Sequence, residues 1–321
     1  MTKKKVTKKK IDFDKLFLKG HKSYDTVIGD WWEKQSSNGS HQKAYQAVAD
    51  YVSEVLSDKK NVSPKKSSKQ TSNSVKNPKW IVDYACGGGH FLQKLALRFP
   101  KSNIVALDGS KKMLQQAKGR MEAIDIEADL VDAKKSFDAK GPRIRLVQTT
   151  LPNFSLPKGK ADVVIFVFPN LTPSPADQDY YDKHGYLSKP DTKVCTILSR
   201  LREMDPEDEV TPIVPKEMYE SLMTDRVICR NLRHLLKPKG KMFKVDYANA
   251  HRSELSHLTQ MRSFFAEGAL TEAIKDLKAP VFFKYLSNKF HRSQVILDVF
   301  HQTGDPSDKT GGFFTSVFDA I

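Results

Sequence analysis

Apolar positions between Trp80 and Ile321 follow two rhythms, one of short continuous runs and one of turns spaced three to four residues apart, and the two alternate along the chain. Ile81 to Ala85 is a short apolar run broken by Asp83 and predicts a buried strand. A turn of small residues, Cys86 to Gly89, follows it. Phe91, Leu92, Leu95, Ala96 and Phe99 then share one helical face, which Pro100 ends. The run NIVALD is a second strand closing on Asp108, and Ser110 is placed to cap a helix carrying Met113, Leu114, Ala117 and Met121. RIRLVQTTL predicts a third strand. Ala161 to Phe168 predicts a fourth, apolar almost throughout, as a strand covered on both faces should be. Pro215 opens a helix with Met218, Leu222, Cys229, Leu232 and Leu236 on one face, stopped by Lys237-Pro238-Lys239-Gly240, and KMFKVDYA forms strand five. The last two runs, HRSQVILDVF and GGFFTSVFDA, are separated by a stretch too short for a crossover helix, so they predict an antiparallel hairpin. Ahead of all this, Ala44, Val48, Tyr51, Val52, Val55 and Leu56 recur at helical spacing over roughly His41 to Ser57, with Ser40 as the expected cap.

Composition adds boundaries to this pattern. The chain has 321 residues, 39% hydrophobic and 28% charged, enough for a folded core. The longest apolar run, Val163 to Phe168, is far short of the roughly 20 residues of a membrane-spanning helix. Three cysteines, Cys86, Cys195 and Cys229, are too few and scattered for a disulfide framework or a Cys-based zinc site, so we expect no metal and a reducing compartment, cytoplasmic or, in a eukaryote, nuclear. The formal charge is +15, and residues 1–79, with 18 Lys, no Arg and 8 acids, carry most of it. Met1 to Lys10 and Asp58 to Lys79 have almost nothing to bury and read as a solvated tail and linker. Lys without Arg supplies point charges and no planar fork, so any nucleic-acid contact by this arm should be weak, nonspecific and salt-sensitive. The organisation expected is a tail over 1–22, a helical cover over 23–57, a basic linker over 58–79 and one domain over 80–321, with insertions at about 172–215 and 250–285.

Strand, glycine turn, helix, strand and acid make the mononucleotide-binding unit of an open parallel sheet. Its glycines let the backbone approach a ligand, and an acid at the end of the second strand can accept from ribose hydroxyls. A dinucleotide fingerprint would need glycine at the positions of Ala85, Gly87 and His90, and His90 fails it. Asp83, Ala85, Gly87 and Gly89 instead resemble the first motif of the class I S-adenosylmethionine-dependent methyltransferases, with Ala85 in place of its first glycine. The segment LDGSKKMLQQAKGR is similar to that family's second motif, and RNLRHLLKPKGKMFKVDYA to its fifth-strand region. The resemblance extends from about Tyr24 to Ile321. It implies an α/β fold, a seven-stranded Rossmann-like sheet ending in an antiparallel hairpin, and S-adenosylmethionine as cofactor.

Carried over residue by residue, the resemblance implies that Asp83 orients the methionine amino group and that Ala85, Gly87 and Gly89 give the cofactor room. Asp108 would hold the ribose, Ser110 and Met113 would flank the adenine, and Thr150 and Leu151, with Thr149, would contact it where many members have an Asp. Cys86 is expected to be inert filler. The acceptor would lie above the carboxyl ends of strands four and five, where Asn170, Tyr247 and His251 are candidates, His251 as a general base and Asn170 alternatively as a turn cap. Strand four ends in Phe168-Pro169-Asn170-Leu171, which is not the Asn/Asp-Pro-Pro-aromatic motif of nucleobase and glutamine methyltransferases. Tyr24, Trp31 and Trp32 resemble the aromatic cover that small-molecule members fold over cofactor and acceptor; they could also simply anchor the N-terminal arm. The function implied is methyl transfer to a small or medium-sized acceptor. An RNA or protein methyltransferase using the basic arm, and a non-catalytic binding subunit that keeps the fold, stay open beside it.

Overall fold

The computed structural model describes residues 24–57, 78–168, 227–248, 282–293 and 312–321. The expectations for the Lys-rich tail, the linker, the two insertions up to residue 281, Asn170 and His251 lie outside these residues.

Alternation in the strands decides the layering. Ile81, Ile104, Ala106, Val163 and Ile165 point into one apolar cluster, and Val82, Val105, Leu107, Val164 and Phe166 into another, so both faces of the sheet are covered. Strands β1 (Trp80–Tyr84), β2 (Asn103–Asp108), β3 (Ala128–Leu130), β4 (Ile144–Gln148), β5 (Ala161–Val167), β6 (Leu236–Ala248), β7 (Phe283–Arg292) and β8 (Gly312–Ala320) form one sheet in the order β3-β4-β2-β1-β5-β6-β8-β7. The first six in that order run parallel; β8 is antiparallel to β6 and to β7. Seven of these strands reproduce the expected sheet with its terminal hairpin. The short β3 adds an eighth at the edge.

Helices α1 (Val27–Ser37), α2 (Gly39–Ser57), α3 (His90–Arg98) and α4 (Lys111–Glu122) include those that cover the first face, where Val48, Val52, Leu92, Leu95 and Leu114 are fully buried. The helical residues 227–235 cover the other face with Ile228, Cys229, Leu232 and Leu235. Ser110 caps α4 as expected, accepting from the Met113 amide at 3.1 Å.

Three expectations are corrected. The start of α2 is capped by Asn38, whose Oδ1 accepts from the His41 amide at 2.9 Å. Ser40 instead donates to that same Oδ1, since the oxygen three residues before His41 is the one that meets its amide. The Lys237 to Gly240 turn does not separate helix from strand: Ala161 pairs with Leu236 and Val163 with Lys241, so the turn loops out of β6. The strand paired with β8 is Phe283–Arg292; of the expected HRSQVILDVF only His291 and Arg292 belong to it, and residues 294–300 lie outside the described residues.

Candidate functional site

Strand β1 lies between β2 and β5, and the chain leaves it in opposite directions on its two sides, which opens a crevice at the carboxyl ends of the strands. The turn after β1 forms its floor. Ala85 and Gly87 there take φ of 62° and 52°, a left-handed backbone that costs an alanine strain and a glycine none. Among the described residues nothing lies within 4 Å of where a Gly87 Cβ would stand. Gly89 differs: at φ 82° its missing Cβ would meet the Ala117 Cβ at 2.7 Å, so this glycine seats α3 against α4 and does not line the cleft. That cleft holds about 820 Å³ of empty space counting its open mouth.

Two buried acids face it. Asp83 is 2% exposed, and among the described residues its Oδ2 is buried without a hydrogen-bond partner. Burial, with the charge of Asp108 close by, pushes its carboxyl up to about 8. Asp108 accepts from the Gly87 amide (2.8 Å) on Oδ2 and from the Ser110 amide (2.9 Å) on Oδ1. Burial outweighs those donors and raises it to about 6. Met113 lines the same end, whereas Ser110 is taken up by capping and by donating to Asp25 at 2.6 Å. Thr150 is exposed and Leu151 is packed in the second core cluster; neither lines the cleft. Cys86 lines it as a buried thiol pushed well up by burial, as an inert filler would be.

The N-terminal helices close the other side. Tyr24 and Trp32 line the cleft; Trp31 lies on α1. Glu33, Ser36 and Tyr45 line it too, and no sequence motif marked them. Glu33 Oε1 accepts from His90 Nε2 at 3.0 Å and from Arg120 Nη2 at 2.5 Å. Gln42 Nε2 lies 2.8 Å from His90 Nδ1 and Arg120 Nη2 lies 2.7 Å from His90 Nε2, so the ring is held from both sides. Burial works against the Glu33 charge, but His90 and Arg120 prevail and hold its carboxyl below its ordinary value. Near the ends of β5 and α2, Val167, Phe168, Phe91 and Tyr45 make an apolar wall. Tyr247 sits at the carboxyl end of β6, in register with Phe313. Asn170 and His251 are beyond the described residues.

The donor set fits the cofactor that the resemblance implies. An unpartnered buried carboxylate oxygen suits an ammonium, Asp108 keeps lone pairs for hydroxyls, and the open space over Gly87 gives a ligand backbone access. Among the described residues no cluster of His, Cys, Asp or Glu could hold a metal ion, and no helix is long and apolar enough to cross a membrane.

Residues 81–131 match the family described as "Methyltransferase domain". Over 56 residues the chain is 41% identical to the trans-aconitate 2-methyltransferases of Acidovorax sp. (strain JS42) and Acidovorax ebreus (strain TPSY), which is 17% of this chain and 22% of each relative. The chain thus spans about a fifth of the length of these curated relatives. Among solved structures it is similar to the cyclase SpnF (12% identity, 94% of this chain and 96% of that one, TM-score 0.46). It is also similar to geranyl diphosphate C-methyltransferase of Streptomyces coelicolor A3(2) (8%, 89% and 84%, TM-score 0.40). The match over residues 81–131 covers the Asp83 to Gly89 turn, and the parallel sheet with its antiparallel hairpin is the fold that the resemblance to class I S-adenosylmethionine-dependent methyltransferases implies.

Proposed function

We propose that this cleft binds S-adenosylmethionine and that the protein transfers its methyl group to a small or medium-sized acceptor. The observation that carries the reading is the pair of buried acids on either side of the glycine turn, Asp83 with a carboxylate oxygen that lacks a donor and Asp108 at the end of β2. Asp83 would hold the methionine ammonium, the main chain at Ala85 and Gly87 would pass close to the ligand, and Asp108 would accept from the ribose. Met113 would pack on the adenine, with Tyr24 and Trp32 over the top. The cofactor, once bound, supplies an electrophilic methyl group on a sulfonium. What the protein then does is largely to position the acceptor atom and exclude water. We assign that task to the end of the cleft beyond Asp83, and keep Asn170, Tyr247 and His251 as acceptor contacts, His251 as the base where a proton must leave.

The acceptor named for the bacterial relatives is not carried over, because the shared segment is about a fifth of their length. Calorimetry on the full chain tests the reading. S-adenosylhomocysteine and S-adenosylmethionine should bind and NAD should not; NAD binding without S-adenosylhomocysteine binding would overturn it.

A further inference from the structure

The acceptor end of the cleft has a polar group of its own. Ser36, at the end of α1, and Tyr45, on α2, both line the cleft, and the Tyr45 hydroxyl lies 3.1 Å from Ser36 Oγ. Tyr45 is 7% exposed, and a buried phenol must donate. Its reach ends at Ser36 Oγ, so Tyr45 is the donor and Ser36 the acceptor. The Ser36 carbonyl is already occupied by Gln42 Nε2 at 2.8 Å. Among the described residues the Ser36 hydroxyl hydrogen has no acceptor, which leaves it for whatever enters the cleft; Phe91, Val167 and Phe168 line the same cleft. Phe168 is held there at φ 46° by rings on two sides, Tyr45 at 6.1 Å and Phe313 at 5.7 Å between centroids.

Charge narrows the occupant further. The acids among the described lining are Glu33, Asp83 and Asp108; His90 lines it too and lies 3.0 Å from Glu33, to which Arg120 is also turned, while the described Lys and Arg side chains do not line the cleft. An acceptor bearing a carboxylate or phosphate would bury that charge beside acids with no counter-ion from these walls, which costs far more than an uncharged group of the same shape.

We propose that Ser36, oriented by Tyr45, is the acceptor-recognition residue, and that the acceptor is uncharged and presents a hydrogen-bond-accepting oxygen or nitrogen to the Ser36 hydroxyl. This rests on the proposed methyl transfer and adds the substrate class. Tyr45 acts through Ser36 and is a positioning residue.

Matched probes on the full chain saturated with S-adenosylhomocysteine test it. Benzamide and acetophenone are compared with benzoate and phenyl phosphate, by binding titration and by soaking crystals of the complex. The uncharged pair should occupy the space between Ser36, Val167 and Phe168 with the carbonyl oxygen on Ser36 Oγ, and bind at least tenfold tighter than the acids. Ser36→Ala should weaken benzamide three- to tenfold, as loss of one neutral hydrogen bond does, and leave S-adenosylhomocysteine affinity unchanged. Tyr45→Phe should weaken benzamide by less, with cofactor affinity again unchanged. Acids binding there as tightly as amides, no probe in that space, or Ser36→Ala weakening cofactor and probe alike would each overturn the assignment. Failure of S-adenosylhomocysteine itself to bind would sink the cofactor reading first, and this inference with it.

Discussion

Replacing Asp83 with Asn removes a charge that the ligand-free fold holds at a cost. In the unfolded chain this carboxyl ionises near 3.8, whereas burial and Asp108 push it up to about 8 in the folded protein. Between those values the native state binds the extra proton, so native stability falls as pH rises through the window, and the loss is complete above about 8. One unit is worth about 1.4 kcal/mol, which sets a ceiling of roughly 5–6 kcal/mol. A loss of that order corresponds to about 10 °C in Tm for a domain of this size. Asn cannot ionise. The melting temperature of Asp83→Asn should therefore match that of the parent at or below about pH 4 and exceed it by several degrees at pH 8.5, by scanning calorimetry without ligand. The same variant should bind S-adenosylmethionine about ten- to a hundredfold more weakly at pH 8.5, having lost a charge-assisted hydrogen bond worth about 1.5–3 kcal/mol. A variant equally destabilised at every pH would show that Asp83 is a structural acid. One that binds the cofactor normally would show that the ammonium lies elsewhere.

Glycine substitutions in the turn should separate packing from ligand access. Gly89→Ala drives a Cβ into Ala117 at φ 82° and should lower stability by about 2–4 kcal/mol in urea unfolding, whereas Gly87→Ala meets open space and should cost about 1 kcal/mol, its larger effect being on cofactor affinity. Ala85→Gly relieves a left-handed alanine at φ 62° and should raise stability by about 0.5–1 kcal/mol; no gain in the same unfolding experiment would mean that the turn stores no strain there. Asp108→Asn should weaken S-adenosylhomocysteine about ten- to a hundredfold by calorimetry. It should also cost about 1–3 kcal/mol of ligand-free stability, because Asp108 already accepts from the Gly87 and Ser110 amides and an Asn amide group would oppose one of them. Binding of S-adenosylhomocysteine at pH 7 should release close to one proton as Asp83 ionises beside the ammonium, read from the heats in two buffers; zero release would refute that pairing.

The central strands and the two acids were legible because their signals are local. A strand buried on both faces must be apolar at nearly every position, so Ile81, Val105 and Val164 mark themselves, and Asp83 and Asp108 stand out against them. The edge strand β7 was not legible. Phe283–Arg292 pairs on one side, to β8, and alternates Lys, Ser, Asn and His with its apolar residues, while the more apolar run just after it drew the assignment one element along the chain. Asn38 and Ser40 are both good caps, and spacing alone could not choose between them. Ser36, Tyr45 and Glu33 were invisible for a different reason. They come from two helices that only the fold brings over the glycine turn, and no fixed spacing links them to Asp83.

The central claim is that one cleft holds the cofactor, with its amino acid end at Asp83 and its ribose at Asp108. A crystal structure of the full chain with S-adenosylhomocysteine tests it most directly. The account predicts the ligand ammonium within hydrogen-bond distance of the Asp83 carboxylate, whose Oδ2 then gains the donor it lacks, the ribose hydroxyls on Asp108, and the sulfur facing the space between Ser36 and Phe168. A ligand bound away from the Ala85 to Gly89 turn, or one in the cleft with Asp83 Oδ2 still lacking a donor, would contradict it.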